Sequence, residues 1–519
     1  MLADTIYFTH GAGKTVYVKY RILVKLESFL ENIIFLKAEI IYPFVIKEER
    51  MKKFWLVLLS LGLIMAFGAS AFAVDVKVGG EFDVGGVYLN KTTLNSSRAS
   101  YDGGTSYDRT NPSTAFFYQK LQVGTEFIVS PSLKLATRFN AMERIWGGAR
   151  SAPGTDNASG TSSGTRAENE NIAFDLAYVD YISPIGEFKV GYQPDLVFGT
   201  FFGDRSSGPP AGQIQYLKNV GPATIYFGYA KEVDNSMSAV SASAGTINAT
   251  RTDRDADSYR LGGIYNFKDG EAGALFIFNR DATCRGRACD SYLSNVYVID
   301  PYVKAKIGPV ALQAEAQYYF GDAKKYEGYV TNESNVSVSA LSVFLDATAT
   351  FGMFNVGGSF AYLSGDDPGT TDKIEGGINT AGLDWQPCLI LFNTDLNYWL
   401  PSIYGHSNSL ANGEMSNAWF YQGRVGMKLM SKLDALLSVS YATADKKPDP
   451  KNYGITYPNG SYGTEIDLTG TYKINDNLSY MLGVGYLFTG DFFKGYDKTG
   501  QQYEVVDDYL LVNKLVLTF

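Results

Sequence analysis

The feature that most restricts this chain is a two-residue alternation that recurs along most of its length. From Asn477 the sequence reads NLSYMLGVGYLF, where Leu478, Tyr480, Leu482, Val484, Tyr486 and Phe488 are apolar and the residues between them are mostly small. From Val310, VALQAEAQYYF sets Val310, Leu312, Ala314, Ala316, Tyr318 and Phe320 against Gln313, Glu315 and Gln317. LKLATRFNAMER sets Leu133, Leu135 and Phe139 against Lys134, Arg138, Asn140 and Arg144. Successive side chains of a strand point to opposite faces, so these are strands with one apolar and one polar face. In a soluble sandwich the apolar face meets a protein core; in a membrane barrel it meets lipid, and the polar face lines a wet lumen.

The punctuation separates these two solutions. Short turns fall at 130–132, 184–186, 221–223, 268–273, 308–310, 352–354, 431–434 and 474–477. Longer polar stretches lie between them at 91–113, 147–170, 201–210, 232–256, 281–294, 321–334, 364–415, 443–461 and 490–506. Short turns on one rim and long connections on the other are the asymmetry of an outer-membrane barrel. Counted this way the connections join eighteen antiparallel strands, an even number that leaves both termini in the periplasm. Two alternatives stay open: sixteen strands, and a further hairpin within 364–415 around CLILFNTDLNYW. The 37 Tyr and 32 Phe suit aromatic girdles, and charged residues make up only 19%. No apolar run after residue 73 approaches the ~20 residues of a spanning helix. A bilayer tolerates no unpaired strand edge, so a closed all-β transmembrane barrel is the expected fold.

The barrel is expected to occupy residues 74–519. Before it, MKKFWLVLLSLGLIMAFGASAFA (51–73) has two lysines, an uncharged core and the ending Ala71-Phe72-Ala73. These are the parts of a signal peptide cleaved after Ala73, the competing reading being a membrane-anchoring helix. Residues 1–50 show no secretory pattern and read as a leader translated from a start codon upstream of Met51. Lys-Glu-Glu at 47–49 can be encoded by a purine-rich ribosome-binding site. The run HGAGKT (10–15) is not a phosphate loop, because Phe8 stands where the motif needs its first glycine.

Cys284 and Cys289 bracket a short CRGRAC stretch and are expected to form a local disulfide in an external loop, leaving Cys388 over. After residue 73 the chain holds one histidine, His406, in the loop-like YGHSNSLANG, which starves most metal and acid–base schemes. The readings are therefore no catalytic residues, no metal, no cofactor and no nucleic-acid partner.

The first third of the barrel region resembles a general diffusion porin of Gram-negative bacteria. The resemblance lies in VKVGGEFDVGGVYL (76–89), FFYQKLQVGTEFIVSPSLKLATRFN (116–140) and NIAFDLAYVDYISPIGEFKVGYQPDLVFGTFFGD (171–204). LLVNKLVLTF, ending in Phe519, resembles the C-terminal recognition strand of bacterial outer-membrane proteins. The resemblance implies a water-filled channel narrowed by a third loop that folds inward, and by analogy a homotrimer. It also implies outer-membrane lipid and lipopolysaccharide as surroundings, and the barrel-assembly machinery as reader of the last strand. Phe201-Phe202-Gly203-Asp204-Arg205 replaces the family's glycine-rich acidic turn.

By parity Lys120, Lys134, Arg138 and Arg144 form a basic wall on the second and third strands, with Asp204 and Arg205 on the constriction loop facing some part of it. Dispersed, solvated charges are the competing reading. Glu315, Arg424 and Lys428 also point inward, so the lumen is mixed. The net charge of −9 says little about ion preference, because Asp366, Asp367, Asp372 and Glu375 fall in a long loop. The alternative functions are a sheath or partner for an envelope electron-transfer complex and an outer-membrane barrel hydrolase with His406 as its base.

Overall fold

The computed structural model describes residues 74–94, 111–147, 172–235, 253–285, 291–327, 333–378, 385–400, 402–405, 410–447, 457, 459–496 and 502–519. The first strands are β1 (Asp75–Leu89), β2 (Thr114–Ser130), β3 (Leu133–Ile145), β4 (Ala173–Ser183), β5 (Gly186–Gln193) and β6 (Ala211–Val220). They are followed by β7 (Ala223–Val233), β8 (Ala256–Phe267), β9 (Gly270–Asp281), β10 (Tyr292–Ile307), β11 (Val310–Tyr326) and β12 (Val336–Phe351). The circuit is completed by β13 (Phe354–Leu363), β14 (Ala418–Met430), β15 (Leu433–Ala444), β16 (Ser461–Lys473), β17 (Leu478–Thr489) and β18 (Asp508–Thr518). Each pairs antiparallel with its sequence neighbours, and β1 pairs with both β2 and β18. The sheet is therefore a closed barrel of eighteen strands, without a free edge. Sixteen strands is excluded. Among the described residues no helix is long and apolar enough to cross a membrane.

All eight short turns fall where the sequence places them. Strands of 8 to 17 residues match the ~9–11 residues that a tilted strand needs to span a bilayer. The outward face is the apolar one: Leu482, Val484, Tyr486 and Phe488 are 38–57% exposed, and Phe227, Leu345 and Val425 behave likewise. At the seam the backbone of Phe519 exchanges two hydrogen bonds with Gly80, at 2.9 and 3.0 Å. Gly80 leaves room for the Phe519 ring, since a Cβ there would lie 2.7 Å from Cζ.

The inside departs from the simple parity rule. Near the long-connection rim the inward residues of several strands are apolar and fully buried, among them Leu89, Phe344, Leu363, Phe420, Leu487 and Leu510. Parity assigns a face but does not say what fills the space that the face looks into. Part of the 364–417 connection fills it here: Trp385, Ile390, Leu391, Phe392 and Leu396 pack against those residues. Burying each such side chain is worth roughly 1.5–3 kcal/mol, so packing holds this segment inside the barrel. The further hairpin considered around CLILFNTDLNYW does not form. Its place is taken by a turn and a short helix, α1 (Thr394–Trp399), capped by the Asn393 side chain accepting from the Leu396 N–H at 2.8 Å. Two minor pieces lie outside the circuit. Lys373–Ile374 pairs parallel with β12, and Gly495–Tyr496 pairs with Gln502–Tyr503.

Candidate functional site

Two connections enter the lumen, and a glutamate on the barrel wall holds each of them. The β5–β6 connection (194–210) lies against β11, where Glu315 is only 3% exposed. Its Oε2 accepts from the Thr200 N–H and the Thr200 hydroxyl, both at 2.6 Å, and its Oε1 accepts from Gln317 at 3.2 Å. The loop can wrap this carboxylate because Gly199 has φ +89° and Gly203 has no side chain; a Cβ at Gly203 would lie 1.5 Å from Oε1. Phe202 then stacks on Phe344 at 5.0 Å, and Phe198 meets Tyr302 edge-on at 4.9 Å.

The second inward segment, of which residues 385–400, 402–405 and 410–412 are described, is held in the same way. Glu465 on β16 has no solvent exposure and accepts from the N–H groups of Ile390 at 2.6 Å and Leu391 at 2.7 Å. Tyr398 donates to Glu143 at 2.5 Å, and Trp399 stacks on Tyr118 at 4.3 Å. The two segments meet where Phe202 contacts Trp385 at 5.3 Å. Cys388 is buried here, with Glu465 and Asp467 offering atoms within 4.8 Å of its sulfur and of one another. Burial, and then the charges of Glu465 and Asp467, push its thiol well above the usual range. Both oxygens of Glu465 already serve the Ile390 and Leu391 N–H groups, which explains its place without an ion.

The inward positions on β2 and β3 do carry bases, but each one described faces an acid. Lys120 lies 3.5 Å from Glu143. Lys134 lies 3.0 Å from Glu126 and 3.5 Å from Asp180, and Arg138 grips Asp175 through Nε and Nη2 at 2.8–3.1 Å. Arg144 is a correction to the parity reading. A bulge at Met142 (φ 53°) shifts the register, so Glu143 takes the inward place and Arg144 stands opposite Gln119, on the face of Phe117 and Leu121.

Arg424 is inside, bound to Asp346, Ser359 and Thr348 at 2.6 Å each. Lys428 is exposed, opposite Asp434 near the short-turn rim. Asp204 accepts from the Ser206 N–H at 2.9 Å, so it shapes its own loop. Glu315, read from sequence as a lumen charge, is instead the buried tether. Cys284 is half-buried at the end of its described segment, while Cys289 and His406 lie outside the described residues.

Behind the 194–210 segment a cavity of about 160 Å3 opens against β7–β11. Arg260, 6% exposed, crosses it to Asp195 and also reaches Gln213 at 3.1 Å and Glu232 at 3.3 Å. Arg205 meets Asp195 at 3.3 Å, so it faces this acid on its own loop and not the β2–β3 wall. Asp300, Gln317, Leu275, Ile277 and Val298 are also part of the lining. Sequence reading missed Asp195, Arg260, Asp300 and Glu465. Inward parity on an alternating strand was the available signal for the last three, and the GTEIDL run at 463–468 shows it most plainly.

No protein-family model matches the chain, and no curated protein matches it. Among solved structures it is similar to Pseudomonas aeruginosa OccK2 (OpdF), at 12% identity and a TM-score of 0.45 over 86% of this chain and 98% of that one. It is similar to the outer membrane protein OpdK of the same organism, at 12% identity and a TM-score of 0.43 over 85% and 99%. A BenF-like porin from Pseudomonas fluorescens Pf-5 follows, at 11% identity and a TM-score of 0.43 over 86% and 99%. The closed barrel itself rests on the strand pairing.

Proposed function

We propose that the chain is an outer-membrane channel through which ions and small hydrophilic solutes diffuse passively. The observation that carries this reading is a closed eighteen-stranded barrel with an apolar outer face and an interior lined by opposed charges. An apolar outer face of this kind is stable in a bilayer, and a charged interior suits water and dissolved solutes. The inward segments 194–210 and 385–400 narrow the lumen, so passage is restricted to small molecules, sorted by the charges at the narrow ring. The signal-peptide pattern at 51–73 supports export, and the terminal Phe519 suits recognition by the barrel-assembly machinery. A homotrimer surrounded by lipopolysaccharide completes the reading by analogy with diffusion porins.

Planar-bilayer recording tests it. Purified protein should insert in discrete steps with a linear current–voltage relation. Insertion without conductance would favour a sheath around an electron-transfer partner.

A further inference from the structure

We propose that the cavity behind the 194–210 segment binds a small organic ammonium, an amine carrying a short apolar group; the inference deepens the channel reading and rests on it. A charge audit of the lining leads there. Arg260 is engaged by Asp195, Gln213 and Glu232. Asp195 also holds Arg205 and accepts from Gln213 at 2.9 Å. Glu315 is engaged by Thr200 and Gln317.

Asp300 is left over. It lines the cavity and is 4% exposed; its Oδ2 receives only a 3.3 Å bond from Gln317, and its Oδ1 has no hydrogen-bond partner among the described residues. A buried carboxylate oxygen without a donor is costly, and the Glu315 carboxyl touches that of Asp300, so two acids meet here with no basic group bonded to either among the described residues, which is a demand for positive charge. Opposite the polar side, Leu275, Ile277, Val298 and Phe198 are each at most 8% exposed and offer an alkyl chain a dry wall. The volume, about 160 Å3, exceeds the ~10–15 Å3 of such space that one water requires, so a short alkylamine fits. The site is reachable, because the Arg205 side chain at 45% and Ile378 at 43% exposure stand on its border. The ammonium group is held by the Asp300 carboxylate, and the alkyl group lies on Leu275 and Ile277. A carboxylate of the same length meets the same apolar wall but is repelled by Asp300.

The test is titration calorimetry of the full, detergent-solubilised barrel with n-butylammonium chloride and, separately, sodium n-butyrate. The expected result is saturable binding of butylammonium and none of butyrate. Asp300→Asn should weaken that binding roughly ten-fold or more, the order expected for losing one charge-assisted hydrogen bond. Val298→Phe, which fills the cavity and changes no charge, should abolish it, with heat-modifiable gel mobility certifying that each variant is folded. No binding, equal binding of both ions, or unchanged binding by a folded Val298→Phe would overturn the inference; if Asp300→Asn fails to fold, the other two comparisons decide. Conductance in KCl is read in parallel. A barrel that conducts but does not bind butylammonium keeps the channel reading and loses this site. One that binds and does not conduct keeps the site and loses the channel.

Discussion

Gly203→Ala is a clean way to test whether Glu315 sets the position of the inward loop, because it alters no charge and no donor. The new Cβ would lie 1.5 Å from Glu315 Oε1 and 2.6 Å from Gln317 Nε2. Something must move, and the nearest candidate is the carboxylate at the end of the Glu315 side chain. It can leave only by giving up the Thr200 N–H and hydroxyl, both at 2.6 Å. Hydrogen bonds to a charged group contribute about 1.5–3 kcal/mol each, so the tether loses about 3–6 kcal/mol. What remains is the aromatic packing of Phe198 on Tyr302 and of Phe201 and Phe202 on Phe344, worth roughly 0.5–1.5 kcal/mol per pair beyond burial. The two sums are comparable, so the loop should exchange between seated and released positions. Single-channel recording should show a larger mean conductance with added open-channel noise, and limited proteolysis should cut within 199–208 where the parent barrel resists. Thr200→Val keeps the backbone bond to Glu315 but removes the hydroxyl bond, together with the 3.1 Å bond that the hydroxyl accepts from the Phe202 N–H, and should give a smaller effect in the same direction. Parent-like conductance, noise and protease resistance in Gly203→Ala would refute the tether.

Arg138→Glu sets two carboxylates together at Asp175 on the inward face and should move the reversal potential in a KCl gradient towards cations; Arg144→Glu, on the far side of the bulge, should leave it unchanged, and equal shifts would refute the parity flip at Met142. Arg424→Ala leaves Asp346, 6% exposed, without its cation, a loss of about 3–5 kcal/mol that should lower the temperature of the gel-mobility transition. Adding Asp346→Ala should recover most of it, and no recovery would mean that Arg424 acts through packing. In unreduced, folded protein at pH 8, maleimide should not label Cys388, whose thiol is buried and pushed up. Deleting residues 388–412 should raise conductance, and an unchanged step size would place the narrow point elsewhere.

Much of the architecture was legible because a strand buried on neither side by chance must still alternate. VALQAEAQYYF gives its outward Tyr318 and its inward Glu315 and Gln317 directly, and Pro184 and Gly308 mark their turns without help from tertiary contacts. The site was legible only in part, and each miss has its own cause. A bulge adds one residue that no composition signals, and beyond Met142 every side chain changes face. Whether an inward base stands alone depends on strands far apart in sequence: Asp175 reaches Arg138 from β4, and Asp346 reaches Arg424 from β12. The apolar lining near the rim looked like any other run of small and apolar residues, because its partner is the 385–400 segment, and loop packing carries no periodicity.

The placement of the acids follows from that packing. A connection folded into a barrel takes its backbone N–H groups out of water, and aromatic packing alone gives those donors nothing to bond. The wall must therefore supply acceptors at the point of contact. A carboxylate suits this well, since each oxygen takes more than one donor and a charged acceptor strengthens the bond. Glu315 takes two donors from Thr200, and Glu465 takes the N–H groups of two successive residues, Ile390 and Leu391. Neither has a basic side chain within ion-pair distance among the described residues, which is the pattern of a group satisfied by backbone and hydroxyl donors and not by a counter-charge. An inward acid that lacks a basic partner on this barrel thus marks either a loop anchor or, where no loop donor reaches it, a solute contact. Glu315 and Glu465 belong to the first kind, and Asp300 belongs to the second.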